Sequence, residues 1–501
     1  MRVYQFRHFG ILNQYQEPSL REFHLIQRSF SLDDQAAFAK LSGDYNPVHL
    51  DPLKARRTRF GYPVVHGAHA LLWALETLVS TKSDLLKLVS LKTFFNQPIR
   101  VGETVQFMLE TKDDACAEIQ LLTENEHAAR IIVTFSKSVN KGYLSFPDSH
   151  PSGLKCLDRK AEQLTNASGS LALCLNQGET ARRFPSLMRV FPSCQLAEVM
   201  ALTRLIGMEC PGLHSIFSDL DLNFSSPHDE TPRLSYEVLS YDSRIGLVTQ
   251  NVRAPGMTGT LRAFLRSPPQ LQGKYIELSE QVWSDEFSGQ TALVIGGSRG
   301  LGEVTGKLLA AGGARVAISY YQGFDEAHDI VEQIKQGGGD ATCLAFNVLG
   351  PNSLSKEDFE SYWTPTHLYY FATPMIFQGK KNSFSSELFQ KFCDYYVSGF
   401  FNTFQIFHGL GDGLQGIFYP STVFIDDLPT NMAEYIAAKS AGESLCTLLR
   451  KKYASMNIYS PRLPKTATDQ TASLIPVDIK DPAPLMLKNL RHFWSKKTLD
   501  A

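Results

Sequence analysis

The feature that most constrains the fold is an alternation of short apolar runs with longer helix-like stretches, which begins near residue 286. The apolar runs are TALVIGG, ARVAISYY, ATCLAFNV, HLYYFATP, GIFYPSTVF and NIYSPRL. The helix-like stretches between them include 301–313, 324–336, 386–407 and 432–453. Strands that alternate with helices are typical of βαβ units, which build parallel sheets. The pattern therefore predicts an α/β fold with a doubly wound parallel sheet in the C-terminal part.

Composition sets the wider limits. At roughly 150 residues per domain, a chain of 501 residues corresponds to about three domains. It has 49 Lys plus Arg against 51 Asp plus Glu, a net charge of −2, which supplies no field that would draw it onto a polyanion. We therefore expect no nucleic-acid partner.

The cysteines and the hydropathy indicate where the chain resides. Its eight cysteines form no C-x-x-C pair, which favours reduced thiols over a disulfide framework or a zinc site, so no metal is expected. The first twenty residues lack a continuous apolar segment, and no apolar stretch is long enough to cross a membrane. We expect a cytoplasmic protein without a membrane partner.

The first 267 residues contain an internal repeat in which an apolar helix is followed by extended alternating segments. One copy runs from VVHGAHALLWALETL through LVSLKTFFNQPIRVGETVQFMLET, and the other from VFPSCQLAEVMALTRLI through HSIFSDLDLNFSSPHDETPRLSYEVLS. One helix wrapped by antiparallel strands, used twice, explains both copies. The polar, Pro-bearing stretch 268–287 predicts a linker to the C-terminal part.

A carboxylate and an imidazole lie five residues apart in Asp44-Tyr45-Asn46-Pro47-Val48-His49. Pro47 predicts a tight turn, on which the two groups can orient one water molecule and pass its proton as general base and then acid. That chemistry suits the addition of water to an activated double bond, or its removal. An isolated motif of this kind is also what a turn cap beside a surface histidine would give.

The same region contains a second feature, because Val65-His66-Gly67 precedes the apolar run AHALLWALETL. Free backbone N–H groups at a helix start can hold a thioester carbonyl as negative charge develops on its oxygen. The stretch FAKLSGDYNPVHLDPLKARRTRFGYPVVHG resembles the MaoC-like (R)-specific enoyl-CoA hydratases, which are α+β hot-dog proteins. This resemblance implies that Asp44 and His49 are the catalytic pair, that Asn46 supports their geometry and that Gly67 binds the acyl carbonyl.

In the second copy, Pro192-Ser193 stand where His66-Gly67 stand in the first, and no acid-x-Asn-x-x-His precedes them. We expect this copy to lack chemistry of its own. By resemblance to double hot-dog hydratases it shapes the acyl channel, and the alternative is a dimerisation surface.

A glycine loop, TALVIGGSRGLG, opens the C-terminal alternation. Glycines there let the backbone turn tightly and approach a pyrophosphate at the positive end of the next helix. This predicts a dinucleotide site. The second strand ends in ISYYQG without an acid for a ribose 2′-hydroxyl, while Arg299 lies where a 2′-phosphate can be reached, so the sequence favours NADPH over NADH.

Farther along, Tyr435 and Lys439 lie one helical turn apart. We expect the ammonium of Lys439 to lower the pKa of Tyr435, so that its phenol exchanges a proton with an alcohol or a carbonyl. Ser421 is the candidate to hydrogen-bond the same oxygen, with Thr422 as the neighbouring alternative.

Together these features resemble the short-chain dehydrogenase/reductase family, whose domain has a Rossmann fold. The resemblance implies Tyr435 as acid/base, Lys439 as its partner, Ser421 as substrate orienter and Asn347 as an adenine contact. The cofactor loop comprises Gly296, Ser298, Arg299, Gly300, Leu301 and Gly302. The chain departs from the family where Asn-Asn-Ala-Gly becomes Phe371-Ala372-Thr373-Pro374, where the helix Asn becomes Tyr396, and where Pro-Gly becomes Pro461-Arg462.

The sequence thus predicts four segments: a catalytic hot-dog domain over 1–150, a second, non-catalytic hot-dog over 151–267, the linker 268–287, and a reductase domain over 288–501. The function expected is reduction of a 3-oxoacyl thioester with NADPH and reversible dehydration of the resulting (R)-3-hydroxyacyl thioester. The thioester is carried by coenzyme A or by an acyl-carrier protein, and the reductase resemblance implies a homo-oligomer. Two alternatives remain: a hydratase whose C-terminal domain only binds nucleotide or supports assembly, and an NAD-linked degradative enzyme.

Overall fold

Two large sheets organise the computed structural model, which describes residues 26–111, 115–124, 126–139, 146–152, 155–226, 231–350, 364–411, 413–471 and 479–495. The N-terminal sheet has ten strands and the C-terminal sheet has six. No helix in these ranges is both long and apolar enough to cross a bilayer. The prediction about a secretion signal concerns the first twenty residues, which lie outside the described residues.

The ten-stranded sheet is built from two halves whose strands follow the same order outward from the centre. The order is β1-β3-β4-β5-β2-β7-β10-β9-β8-β6, so β2 and β7 join the halves as an antiparallel pair. The first half contains β1 (Ile26–Ser29), β2 (Leu86–Phe95), β3 (Thr104–Thr111), β4 (Cys116–Thr123) and β5 (Glu126–Lys137). The second contains β6 (Ser168–Ala172), β7 (Ser215–Phe224), β8 (Arg233–Asp242), β9 (Leu247–Ala254) and β10 (Met257–Leu265).

Each half packs one long apolar helix against this sheet, and both helices belong to a single hydrophobic core. The first half contains α1 (Leu32–Ser42), α2 (Pro47–Leu50), α3 (Pro52–Ala55) and the central α4 (Gly67–Val79). The second contains α5 (Gln177–Arg183), α6 (Pro185–Val190) and the central α7 (Ser193–Arg204), which continues as a π-helical turn over Leu205–Glu209. The shared core makes the two halves one packing unit.

Local signals position the turn between α1 and α2. Ser31 and Asp34 form a reciprocal capping box that starts α1, and Gly43 ends it with a left-handed φ of 80°. Asn46 then caps α2, whose first residue is Pro47, because proline suits a position that needs no backbone donor. Asp44 is thereby held on a short turn with a cap at each end.

The C-terminal sheet has six strands in the order β13-β12-β11-β14-β15-β17, and every pairing in it is parallel. Its strands are β11 (Thr291–Ile295), β12 (Arg315–Tyr320), β13 (Asp340–Ala345), β14 (His367–Tyr370), β15 (Gly416–Phe418) and β17 (Asn457–Tyr459). The short strands β16 (Ser421–Thr422) and β18 (Arg462–Leu463) pair beside its carboxyl end.

The helices of this part begin and end close to the predicted stretches. They are α8 (Tyr275–Ser279), α9 (Gly300–Ala311), α10 (Phe324–Gln336), α11 (Ser386–Cys393), α12 (Phe400–Gly409), α13 (Phe424–Asp427), α14 (Ala433–Lys452) and α15 (Pro482–Ser495). A π-helical turn, Asp394–Gly399, joins α11 to α12 and interrupts what the sequence predicts as one helix over 386–407. Such turns often mark functional positions.

The stretch 268–287 does more than connect the two parts. It contains α8, and Tyr275, Leu278 and Phe287 are buried in the core of the C-terminal sheet. Its polar composition predicts a linker, but these apolar residues recur among the polar ones and anchor the segment.

Candidate active sites

Asp44 is buried on the capped turn between α1 and α2. Its Oδ2 accepts a 2.6 Å hydrogen bond from Thr203 Oγ1, and its Oδ1 accepts one of 3.2 Å from the Asn46 N–H. Burial raises the pKa of the Asp44 carboxyl, while His49, Thr203 and Asn46 each act to lower it. Because the raised pKa makes this carboxylate more basic than an exposed one, Asp44 is suited to proton transfer.

His49 lies on α2 and is half-buried. Its Nδ1 lies 2.8 Å from the carbonyl oxygen of Val64, which can only accept, so Nδ1 carries the proton and Nε2 of the neutral ring is an acceptor. Burial lowers the pKa of His49, although Asp44 acts to raise it, and the imidazole is therefore neutral at physiological pH. The structure brings Asp44 and His49 together, within 4.8 Å between carboxylate oxygen and ring nitrogen.

His66 joins this pair, although the sequence indicated it only as the residue before a helix. Its ring stacks on that of His49 with 3.8 Å between the centroids. Its Nε2 lies 3.0 Å from the Asp44 carbonyl oxygen, and its Nδ1 lies 2.8 Å from Gln35 Oε1. Burial lowers the pKa of His66 well below its usual range. The neutral ring has one N–H and donates to only one of these two oxygens, and its packing between them and the His49 ring places it beside the Asp44 turn.

The other two predicted residues of this site are Asn46, which contacts the second half, and Gly67, which begins α4. The Asn46 side chain donates from Nδ2 to the carbonyl oxygens of Gly207 at 2.9 Å and Leu213 at 3.2 Å, which ties the turn to the second half. Gly67 is the first residue of α4, and its N–H precedes the first intrahelical bonds. A Cβ there would lie 3.0 Å from the Phe95 ring, so glycine keeps this backbone open.

The second half contributes directly to the site, which the sequence did not predict. Thr203, near the end of α7, donates to Asp44, and Gly207 packs so closely that a Cβ would lie 2.2 Å from Asp44 Oδ1. The signal available was a hydroxyl and a glycine within the apolar helix sequence VMALTRLIGM. The role of these two residues depends on their contact with Asp44, which lies about 160 residues earlier in the chain.

A second candidate site is a cavity of about 440 Å³ at the carboxyl ends of the parallel strands. The predicted loop lines it through Gly296, Ser298, Arg299, Gly300, Leu301 and Gly302. Gly296 and Gly300 have left-handed φ values of 73° and 58°. A Cβ on Gly302 would lie 2.3 Å from the Gly296 carbonyl oxygen. The loop therefore leaves bare backbone at the start of α9, which fits a dinucleotide pyrophosphate.

Tyr435 and Lys439 both line this cavity from α14. The Lys439 ammonium donates to the Pro420 carbonyl oxygen at 2.8 Å and lies 4.1 Å from the centre of the Tyr396 ring. Burial lowers the pKa of Lys439 to about 7, and burial also raises the pKa of Tyr435. The sequence predicted a lowered pKa for Tyr435. The difference arises because Tyr435 is deeply buried, and desolvation disfavours the charged phenolate.

Ser421 and Thr422, the two hydroxyl residues predicted near Tyr435, form the short strand β16. A hydrogen bond with Thr422 opposes the rise in the Tyr435 pKa. The Ser421 hydroxyl is buried and has no hydrogen-bond partner among the described residues. The two residues alternate along the short strand β16, so their side chains point to opposite faces. Both residues still line the cavity.

The departures from the family pattern are concentrated around Tyr396. It lies in the π-helical turn, and its hydroxyl is 2.5 Å from Thr373 Oγ1. Its ring packs edge-on against Tyr435 at 5.6 Å between the centroids. Arg462, by contrast, pairs with Glu443 and Asp426. An aromatic side chain therefore stands where the family relay has an amide.

Arg299 and Asn347 also line the cavity. Arg299 Nη1 donates to the Arg56 carbonyl oxygen at 3.0 Å and lies 3.7 Å from Asp469 Oδ2. Asn347 follows β13, and its Oδ1 accepts from the Leu349 N–H at 3.0 Å. Arg56 and Gly61, both from the N-terminal part, belong to the cavity wall as well. No motif around these two residues predicts that contribution.

Two family models match separate parts of the chain. Residues 19–130 match the model of the MaoC like domain, and residues 290–473 match that of the short chain dehydrogenase. The chain carries a MaoC-like domain and a short-chain dehydrogenase domain. The predicted resemblance to both families is confirmed.

Curated relatives match each domain over limited lengths. The (R)-specific enoyl-CoA hydratase of Aeromonas caviae is 50% identical over 42 residues, 8% of this chain and 31% of the relative. The peroxisomal multifunctional enzyme type 2 of Drosophila melanogaster is 35% identical over 78 residues, 15% of this chain and 13% of the relative. The 3-oxoacyl-[acyl-carrier-protein] reductase of Synechocystis is 36% identical over 70 residues, 14% of this chain and 28% of the relative. The matched segments thus span less than a third of each relative.

Among solved structures, the short-chain dehydrogenase domain is similar to the angucycline C-6 ketoreductase LanV with bound NADP. The identity is 19%, the match covers 42% of this chain and 93% of that one, and the TM-score is 0.37.

Proposed function

We propose that the protein is a bifunctional acyl-thioester enzyme. Its MaoC-like domain interconverts 2-enoyl and (R)-3-hydroxyacyl thioesters, and its short-chain dehydrogenase domain reduces 3-oxoacyl thioesters with NADPH. The observation that carries the proposal is the pairing of the buried Asp44 carboxylate with a His49 ring whose Nε2 is an acceptor. The names of the relatives, a hydratase, a multifunctional enzyme and a 3-oxoacyl reductase, support the same substrate class.

In the hydration direction, Asp44 and His49 orient one water molecule and remove its proton as the water oxygen bonds to C3 of the enoyl group. The electron pair of the double bond moves toward the thioester carbonyl, where the N–H groups at Gly67 stabilise the developing oxyanion. The proton is then delivered to C2, which completes the 3-hydroxyacyl product. Dehydration follows the same steps in reverse.

In the dehydrogenase domain, NADPH supplies the hydride when bound. Tyr435 donates a proton to the carbonyl oxygen of the substrate, and Thr422 or Ser421 orients that oxygen. Lys439 lies one turn along α14 from Tyr435, and its pKa of about 7 lets it gain or lose a proton close to neutral pH. The glycine loop and Asn347 hold the dinucleotide.

The same proposal covers the architecture and the assembly. The N-terminal part is a double hot-dog over 1–150 and 151–267, of which the second half positions Asp44 rather than reacting itself. The segment 268–287 connects it to a doubly wound Rossmann domain over 288–501. The thioester is carried by coenzyme A or by an acyl-carrier protein, and the enzyme self-associates.

The direct test is to incubate the pure protein with NADPH and a short 3-oxoacyl-CoA. We expect loss of absorbance from the reduced nicotinamide, together with hydroxyacyl and enoyl products detected by mass spectrometry. Supplying the 2-enoyl-CoA alone, without nucleotide, should still give the hydroxyacyl product. A protein that transforms neither thioester contradicts the proposal.

One observation favours a second candidate, a hydratase whose C-terminal domain only binds nucleotide. Lys439 is held by Pro420 and by the Tyr396 ring, and Tyr396 replaces the amide of the family relay. In that case NADPH binds but is not consumed with any 3-oxoacyl thioester.

Thr203 provides a test of how the second half supports hydration. Replacing Thr203 by Val removes a hydrogen bond to a charged acceptor, a contact worth about 1.5–3 kcal/mol. We expect kcat/KM for hydration to fall about tenfold or more. Because the hydrogen bond with Thr203 lowers the pKa of Asp44, its loss should move the acid limb of the pH profile to higher pH. Thr203→Ser should restore both, and an unchanged pH profile would show that Thr203 only fills space.

A further inference from the structure

One wall of the dinucleotide cavity is supplied by the MaoC-like domain. Arg56 follows α3, its side chain is 16% exposed, and it lies among the cavity-lining residues with the glycine loop and the end of β12. The end of β12, Tyr320-Tyr321-Gln322, offers no acidic side chain. Beside Arg299 of the glycine loop, the MaoC-like domain therefore adds a second guanidinium group to the cavity wall.

Arg56 belongs to a cluster of three guanidinium groups and two carboxylates at the domain boundary. Arg57 pairs with Glu326 at 2.6 Å and lies 3.8 Å from Asp469, while Arg299 lies 3.7 Å from the same Asp469 oxygen. Arg56 also contacts Glu326. Both carboxylates are thus already engaged by Arg57, and the five groups together carry one surplus positive charge.

Of these three arginines, Arg56 is the one whose guanidinium group is incompletely hydrogen-bonded within the described residues. Burial and the neighbouring Arg299 and Arg57 lower the pKa of Arg56 to about 10. Its Nε is buried and has no hydrogen-bond partner within the ranges that the structure describes. A buried positive charge without full pairing is costly, so an anion beside Arg56 would stabilise the arrangement.

We propose that Arg56 binds the 2′-phosphate of NADP(H), so that the MaoC-like domain determines the cofactor preference of the short-chain dehydrogenase domain. The inference rests on the proposed dinucleotide function. A guanidinium fork matches phosphate geometry, and the end of β12 beside Arg56 offers no acid for a free ribose hydroxyl. Asp469, the acid in the cavity wall, lies against Arg57 and Arg299. Arg299 is then a positioning residue, because it donates to the Arg56 carbonyl oxygen.

The test measures binding without turnover. Fluorescence titration of the full chain with NADPH and NADH gives both dissociation constants, and competition with adenosine 2′,5′-bisphosphate against 5′-AMP isolates the 2′-phosphate. Since a hydrogen bond to a charged group is involved, Arg56→Gln should weaken NADPH binding about 10- to 100-fold. The affinity for NADH should remain unchanged. The matched control is Arg59→Gln, which alters an exposed arginine of the same segment and should change neither constant.

A second variant tests for the opposite change in NADPH affinity. Glu326→Gln removes a carboxylate beside Arg56 and should tighten NADPH binding. If Glu326→Gln instead weakens NADH binding, and Arg56→Gln leaves the affinity for NADPH unchanged, Glu326 binds the ribose and the inference is overturned. Equal weakening of NADPH and NADH binding by Arg56→Gln shows a structural role and also overturns the inference.

A further variant applies if the Arg56→Gln protein does not fold. Arg56→Lys keeps the charge without the guanidinium fork, and an unchanged preference for NADPH over NADH contradicts the inference. A wild-type protein that binds neither dinucleotide removes the proposed cofactor function itself.

Discussion

Replacing Asp44 by Asn is expected to lower kcat/KM for hydration of a 2-enoyl thioester by about 10²- to 10⁴-fold, the usual contribution of a positioned acid–base group. The substitution keeps the size of the side chain but removes the charge that accepts the proton of water. Because Asp44 is buried and held by Thr203 and Asn46, no solvent molecule can take over its position without repacking. The measurement is the initial rate of loss of enoyl-thioester absorbance.

Asp51→Asn is the matched control. Asp51 caps α3 through bonds to the N–H groups of Leu53 and Lys54, and asparagine caps helices equally well. This variant should hydrate at the wild-type rate. The Asp44→Asn protein should also retain ketoreduction, since that site is separate. If Asp44→Asn hydrates at a rate close to that of wild type, Asp44 is not the base.

The second large effect is expected for Tyr435→Phe, which removes the only phenol proposed to donate to the substrate. Ketoreduction should fall by about 10²-fold or more, because proton transfer in the transition state is lost. The affinity for NADPH and the rate of hydration should not change. The measurement is oxidation of NADPH in the presence of a 3-oxoacyl-CoA, followed beside hydration by the same preparation.

Tyr453→Phe serves as the control, since Tyr453 follows the same helix, α14, but lies outside the cavity wall. It should reduce the thioester normally. Equal rates for Tyr435→Phe and wild type would remove the reductase mechanism while leaving the hydratase intact. Should the wild-type protein bind NADPH but reduce nothing, the second candidate, a nucleotide-binding module, becomes the better description.

Features determined by neighbouring residues could be predicted from the sequence. The stretch 324–336 was predicted to be helical, and α10 spans Phe324–Gln336, because its apolar positions recur at helical spacing. Asp44 and His49 are only five residues apart on a turn with strong capping signals, so their proximity followed from local chemistry. The glycine loop was recognisable for the same reason.

Features that depend on contacts between distant residues could not be predicted from the sequence. Thr203 meets Asp44 across 159 positions, and Arg57 meets Glu326 across 269. Nothing in either local pattern specifies those contacts, which depend on how whole elements pack. The sequence also cannot decide between Ser421 and Thr422, because the faces of a two-residue strand are set by its pairing with β18. The rise in the Tyr435 pKa likewise reflects burial that no spacing reveals.

The bonds from Asn46 to the carbonyl oxygens of Gly207 and Leu213 have a practical consequence for protein engineering. A fragment that stops near residue 150 would present the amide and the carboxylate to water instead of to their intended neighbours. Moving the turn with Asp44 and His49 onto a new scaffold therefore requires that both repeats be transferred together.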